Sequence, residues 1–144
     1  MSDQAQLERL VHFFETIDRH TLGEQLGAIY AVDARFKDPF NEVRGLAAIT
    51  TIFEHMFEQV DAPRFVVSTQ VLQGSQAFIT WDFRFRMKRF SKREQCIRGA
   101  THIVFDERGA VSVHRDYWDA AEELYEKLPL LGALMRWLKR AANR

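Results

Sequence analysis

Ala77-Phe78-Ile79-Thr80-Trp81-Asp82-Phe83-Arg84-Phe85-Arg86-Met87 decides the architecture. Trp81, Phe83 and Phe85 fall on one face of an extended chain, and Asp82, Arg84 and Arg86 fall on the other. That is the two-residue period of a half-buried strand. The same period runs from Pro63 almost to the end of the acidic and aromatic stretch at 116–119. It predicts strands near 65–73, 77–87, 94–106 and 110–118. Gly74-Ser75, the Ser91-Lys92 region and Glu107-Arg108-Gly109 supply the turns between them. Connections this short make the four strands antiparallel neighbours.

The first third of the chain has a different period. Leu7, Leu10, Val11, Phe14 and Ile17 recur at helical spacing behind Ser2 or Asp3 as a cap. Thr21 and Glu24 have the spacing of a capping box, and Leu22, Leu26 and Ile29 form a second, shorter apolar face. Pro39 keeps Asp38 extended, which predicts a short non-helical piece through Phe36. Gly45 opens a third helix that turns Ile49, Ile52, Phe53, Met56, Phe57 and Val60 inward. A final helix is expected from Asp119 to Leu128, broken at Pro129 and resumed from Leu130 to Ala141. Helices first and a long meander afterwards make an α+β domain, with a hollow between sheet and helices suited to a small molecule.

Composition narrows the function classes. The 144 residues make one domain with a sizeable core. Net charge is zero at pH 7, so no global field favours nucleic acid or a membrane. Residues 84–98 hold seven basic side chains against one acidic, with Phe interleaved, but the alternation reads as a solvated outer face. The acidic Asp119, Glu122, Glu123 and Glu126 are candidates to meet that basic hairpin in the same or a second chain. A lone Cys96 excludes an internal disulfide and fits a reducing, cytoplasmic setting. The first residues show no basic-then-apolar leader pattern, and no apolar run approaches membrane-spanning length. No His-x-x-x-His or His-x-Glu spacing occurs, so neither metal nor other cofactor is expected. The segment 130–140 is amphipathic and basic; packing on its own domain, on a cavity mouth or on a partner is its expected use.

Phe36-Lys37-Asp38-Pro39, then Gly45 and Ala48-Ile49, and the ending Gly109-Ala110-Val111 … Arg115-Asp116-Tyr117-Trp118-Asp119 carry a resemblance. In this order of elements they resemble the nuclear transport factor 2-like superfamily over roughly residues 5–125. The branch they are most similar to is SnoaL-like, with polyketide cyclases, ketosteroid isomerases and limonene-epoxide hydrolases. The resemblance implies a cone-shaped, curved antiparallel sheet with N-terminal helices on its concave face. It implies one SnoaL-like domain over 1–144, with 120–144 as a C-terminal helical extension. It also implies pairing into a homodimer through the sheet.

The candidate chemistry follows from the same places. Asp38 is similar in position to the base of ketosteroid isomerases, and its plain alternative is a turn cap before Pro39. The isomerases' oxyanion donors correspond to Phe14, which has no donor, and to Thr101. Alternation puts Ser112, His114, Asp116 and Trp118 on one face of the last strand, and Val111, Val113, Arg115 and Tyr117 on the other. In the cyclases and epoxide hydrolases the matching last-strand aspartate is the base, so the resemblance points Asp116 into the pocket. Its plain alternative is a salt bridge to a neighbouring arginine. His114 is a candidate proton shuttle or a hydrogen-bonded wall residue. Tyr30, near the end of the second helix, is a candidate phenolic donor or a core tyrosine. With Phe14, Phe53, Trp81, Thr101, His102, Ser112 and Trp118 it makes the candidate substrate-contacting set. The expected ligand is a small apolar carbonyl or ring compound. The expected chemistry is proton transfer by Asp116 or Asp38, and the rival is a binding or interaction module without catalysis.

Overall fold

The computed structural model describes residues 2–89, 92–120, 122–123 and 140–142. Most of the expected C-terminal helix, and Phe90, Ser91 and Glu126, therefore lie outside the described residues. Three helices lead: α1 (Asp3–Glu15), α2 (Leu22–Ile29) and α3 (Leu46–Gln59). Six strands follow or interleave: β1 (Tyr30–Lys37), β2 (Glu42–Arg44), β3 (Val60–Gln73), β4 (Gln76–Met87), β5 (Glu94–Phe105) and β6 (Val111–Tyr117). They form one curved, unclosed sheet in the order β2-β1-β6-β5-β4-β3. The run β3 to β6 is the expected antiparallel meander. The junction of β1 with β6 is parallel, so the sheet is mixed. Among the described residues no helix is long and apolar enough to cross a membrane.

Local chemistry explains each helix and where it stops. Ser2 caps α1 by accepting from the Ala5 N–H at 3.2 Å. Leu7, Leu10, Val11, Phe13 and Phe14 form its buried stripe. Thr21 precedes α2 but makes no side-chain cap bond, so the capping box read from Thr21 and Glu24 does not form. The second helix is only eight residues long, and Tyr30 already opens β1 rather than ending the helix. Gly45 enters α3 at φ 101°, a left-handed geometry that a side chain would strain. Val60, expected on the helix, is instead its C-cap and the first residue of β3.

Bulges bend the sheet around the helices. The register slips between Asp61 and Arg64 and between Val67 and Thr69 on β3. Pro63 sits inside the first of these, on an edge strand, where its missing N–H breaks no ladder bond. The strand therefore starts five residues earlier than the alternation suggested. At the second slip the edge N–H of Val67 is covered by Glu15, whose carboxylate accepts it at 3.1 Å. A third slip lies between Val104 and Phe105 on the β5–β6 seam, and a fourth between Tyr30 and Arg35 on the β1–β6 seam. Each extra residue locally sharpens the twist. The core fills the concave side, from Leu7, Leu10 and Phe13 on α1 to Ile79, Trp81, Ile97, Ile103 and Val111 on the strands.

One close approach in this core is sequence-coded. Trp81 and Gly99 are direct partners across β4 and β5. A methyl group at Gly99 would overlap the six-membered ring of Trp81. Gly99→Ala therefore overpacks the core and should cost about 1–3 kcal/mol. Gly27→Ala, in the exposed middle of α2 with an ordinary 3.9 Å contact to Leu46, should act oppositely. It should stabilise by roughly 0.4–1 kcal/mol. Thermal unfolding of both variants checks the two signs.

Candidate functional site

Four strands converge on one hydrogen-bonded chain. The Trp81 indole N–H (β4) donates to Thr101 Oγ1 (β5) at 2.8 Å. Thr101 donates in turn to Asp116 Oδ1 (β6) at 2.6 Å. His114 Nε2 reaches the same oxygen at 2.7 Å, and His114 Nδ1 lies 2.6 Å from the Tyr30 hydroxyl (β1). The register builds this: Thr101 stands opposite Asp116, and His114 sits two residues earlier on the same face.

The proton positions follow from the partners. A carboxylate only accepts, so Nε2 carries hydrogen toward Asp116. In that tautomer Nδ1 is the acceptor, and the Tyr30 O–H fills it. Burial and the nearby Asp116 charge raise the Tyr30 pKa well above its ordinary value, which keeps that hydrogen in place.

Aromatic rings close off most of the chain. The imidazole meets Phe36 at 4.7 Å, the edge of Phe14 at 5.7 Å, Tyr30 at 5.9 Å and the edge of Phe53 at 6.5 Å between centroids. The His114 side chain is 3% exposed and that of Asp116 is 19%. Only the carboxylate end of the chain reaches out of the packed interior. The salt bridge to an arginine, the plain alternative for Asp116, does not form among the described residues; the neighbouring Arg115 points to the other face and lies 4.7 Å over the Tyr117 ring.

Asp38 lies in the loop between β1 and β2. Its Oδ1 accepts from the Phe40 N–H at 2.8 Å and the Asn41 N–H at 2.6 Å. The Asn41 side-chain amide spans both carboxylate oxygens at 3.1 Å each. The turn-cap role is thus real. Burial nonetheless raises the Asp38 pKa, opposed by the Phe40 and Asn41 hydrogen bonds and reinforced by the charge of Asp116. The two carboxylates therefore share one electrostatic environment. Phe40 and Trp118 border the same region, with ring centroids 5.5 Å apart.

Other candidate residues fall elsewhere. His102 lies on the opposite sheet face, stacked on Phe78 at 4.5 Å and bonded to Gln76 at 2.8 Å. Its strand parity, odd against even with Thr101, dictates this. Ser112 sits at the β5–β6 register slip. There Val111 turns fully into the core, and the Ser112 hydroxyl donates to Val104 O at 3.0 Å. The face alternation read for the last strand thus holds from Val113 onward and breaks before it. Phe14 and Phe53 pack on His114, while the Thr101 hydroxyl donates to Asp116 and the Trp81 indole donates to Thr101. Asn41 was missed; the turn composition Asp38-Pro39-Phe40-Asn41 was its only signal. An open groove of about 550 Å³ runs along the start of β1 and the β5–β6 turn, lined by Tyr30, Val32, Asp33 and Arg108 among others. It presents neither Asp38 nor Asp116.

The basic hairpin is compensated in part. Arg64 and Arg84 meet Glu94 at 3.0 and 3.9 Å, and Lys88 meets Asp61 at 3.8 Å. Arg98 binds Glu123 at 2.8 Å and Glu122 at 3.4 Å, so the acidic patch meets the basic hairpin within one chain.

With the fold and the site in view, comparison with known proteins is decisive for the family. A family model described as a SnoaL-like domain matches residues 10–114. The chain belongs to the SnoaL-like domain family. No curated protein sequence matches it. Solved structures share its nuclear transport factor 2-like fold. A putative SnoaL-like polyketide cyclase from Jannaschia sp. CCS1 is 13% identical with a TM-score of 0.71, covering 94% of this chain and 92% of that one. An epoxide hydrolase of M. tuberculosis, described as LEH-like, is 16% identical with a TM-score of 0.68, covering 93% and 95%. A hypothetical protein with a ketosteroid isomerase-like fold from Catenulispora acidiphila DSM 44928, in complex with trimethylamine, is 13% identical with a TM-score of 0.70, covering 83% and 89%.

The raised Asp38 pKa makes a signed prediction for this SnoaL-like chain. A carboxyl raised in the folded state lends stability that is complete below its unfolded value, near 3.8, and is lost as pH rises through the folded value. Ionised Asp38 thus weighs against folding at neutral pH. Asp38→Asn removes that charge and keeps an acceptor for the turn. The Tm of Asp38→Asn minus that of wild type should be more positive at about pH 7 than at about pH 4. The difference should shrink in an Asp116→Asn background, which removes the charge that reinforces the shift.

Proposed function

We propose that this SnoaL-like protein holds a small, largely apolar carbonyl or ring compound and transfers a proton on it, with Asp116 as general base. One observation carries the reading: Asp116 is the exposed end of a buried chain whose other members are all internally satisfied. A base needs a fixed carboxylate with one free oxygen beside an apolar wall. Oδ1 is held by Thr101 and His114, and among the described residues no group donates a hydrogen bond to Oδ2. The step is balanced without a cofactor: Oδ2 takes a proton from a C–H or from water and returns it to the product. Isomerisation, cyclisation and water addition all have this form. The cyclase-like and epoxide hydrolase-like relatives support it. Asp38, committed to its turn, is the secondary acid, and Phe40 and Trp118 offer the apolar wall.

The isomerase-type oxyanion pair finds no support. Phe14 packs edge-on against His114, and the Thr101 hydrogen is spent on Asp116. The alternative reading, non-catalytic ligand binding, draws on the Catenulispora relative crystallised with trimethylamine. Native mass spectrometry of the purified protein, then turnover of a panel of apolar ketones and epoxides, separates the two. Asp116→Asn should lower turnover by about 10²–10⁴-fold, and Asp38→Asn by much less. Undiminished turnover in Asp116→Asn would sink the base assignment. A retained ligand with no turnover of any panel compound would favour binding alone.

The reading includes a homodimer through the outer sheet face. Val71, Phe78, His102 and Arg115 form one row across β3 to β6, with Tyr117 beside it. Val71, Phe78 and Tyr117 are 53%, 49% and 47% exposed, an apolar patch across adjacent strands. Sedimentation should show a dimer that Phe78→Lys converts to monomer; a wild-type monomer at tens of micromolar ends this part of the proposal.

A further inference from the structure

The hydrogen-bond chain has a direction, and its direction is set far from the carboxylate. An indole N–H donates and never accepts. Trp81 therefore occupies a lone pair of Thr101 Oγ1 at 2.8 Å and cannot take the hydroxyl hydrogen. Among the described residues the hydroxyl hydrogen has one remaining close partner, Asp116 Oδ1 at 2.6 Å. Trp81 itself is fixed. Its ring lies over Gly99, where the absent Cβ lets the indole cross β5 toward Thr101, and its edge meets Phe65 with centroids 5.4 Å apart. Thr101 is 1% exposed, so water does not substitute for either partner.

We infer that Trp81 and Thr101 are positioning residues for Asp116: the donor-only indole locks the Thr101 hydrogen onto Oδ1, and with His114 on the same oxygen this makes Oδ2 the one oxygen that exchanges a proton with the ligand. Trp81 and Thr101 then touch no ligand. Sequence reasoning placed both among substrate contacts; the geometry moves them behind the base. The inference builds on the assignment of Asp116 as base and specifies which of its atoms reacts.

The test is the pH titration of the Asp116 side-chain ¹³C signal by NMR on the full chain, free of ligand. The titratable groups facing Asp116 are His114 on its own strand, Tyr30 on β1 and Asp38 in the β1–β2 loop. Arg115 and His102 lie on the other sheet face. All five are followed in the same spectra or kept constant across variants. Thr101→Val removes the hydroxyl donor to the charged form and should move the Asp116 titration up by about one pH unit. Thr101→Ser should restore it. Trp81→Phe keeps a ring over Gly99 but frees the hydroxyl to rotate, and should move the titration the same way by less. If Thr101→Val does not fold with its indole unpaired, the double variant Trp81→Phe/Thr101→Val removes both polar partners and must show the full displacement.

An unmoved titration in the valine variant, or in the folded double variant, overturns the inference. So does a serine variant that fails to restore the wild-type curve. The base assignment fails separately: a displaced titration with full turnover in Asp116→Asn would leave the positioning intact and remove the base. An unmoved titration with turnover lost in Asp116→Asn would do the reverse.

Discussion

A histidine ring buried among aromatic side chains is the constraint on which this molecule turns. Imidazole has two nitrogens, and either one left without a partner in an apolar interior costs about 1–3 kcal/mol. His114 finds one partner on β1, in Tyr30, and the other on β6, in Asp116. Asp116 then needs donors of its own and takes Thr101 from β5, which is held by Trp81 from β4. One buried ring thereby links the parallel seam of the sheet to its antiparallel meander. The same links order the carboxylate that the interior cannot enclose.

Asp38 and Asp116 answer the question of two acids in one region differently. Both are half-buried, and the charge of Asp116 acts on Asp38. Asp38 spends its acceptor capacity on its own loop, where the Phe40 and Asn41 N–H groups and the Asn41 amide surround it. Asp116 concentrates its donors on one oxygen. A turn cap and a base ask opposite things of a carboxylate: the first wants every lone pair occupied, the second wants one kept open. Geometry, rather than residue type, separates the roles.

Much of this was legible in the chain. The period-two run from Ala77 to Met87 and the short turns at Gly74 and Gly109 define the meander, because alternation and turn chemistry are local properties. The grouping of His114 and Asp116 was readable for the same reason. Ser112 was misplaced by the same local logic, whereas grouping His102 with Thr101 ran against it. A bulge at Val104–Phe105 shifts the parity at Ser112, and the parity of His102 relative to Thr101 turns it outward. Bulges answer to curvature, which the whole sheet sets. The start of β3 at Val60 was hidden likewise, since Pro63 reads as a break until an edge bulge absorbs it.

The sequence by itself determined the helices-then-meander order, the apolar faces, the SnoaL-like resemblance and the presence of two acids flanked by aromatics. These follow from spacing and side-chain chemistry along a few residues at a time. Only the tertiary structure decided that β1 would enter the sheet parallel to β6 and carry Tyr30 to His114. Only it decided that Trp81 would cross Gly99 to reach Thr101, and that Asp116 would be held by one oxygen. Those contacts join residues 15 to 84 positions apart. Pairings at that range depend on register and curvature, which no local pattern encodes.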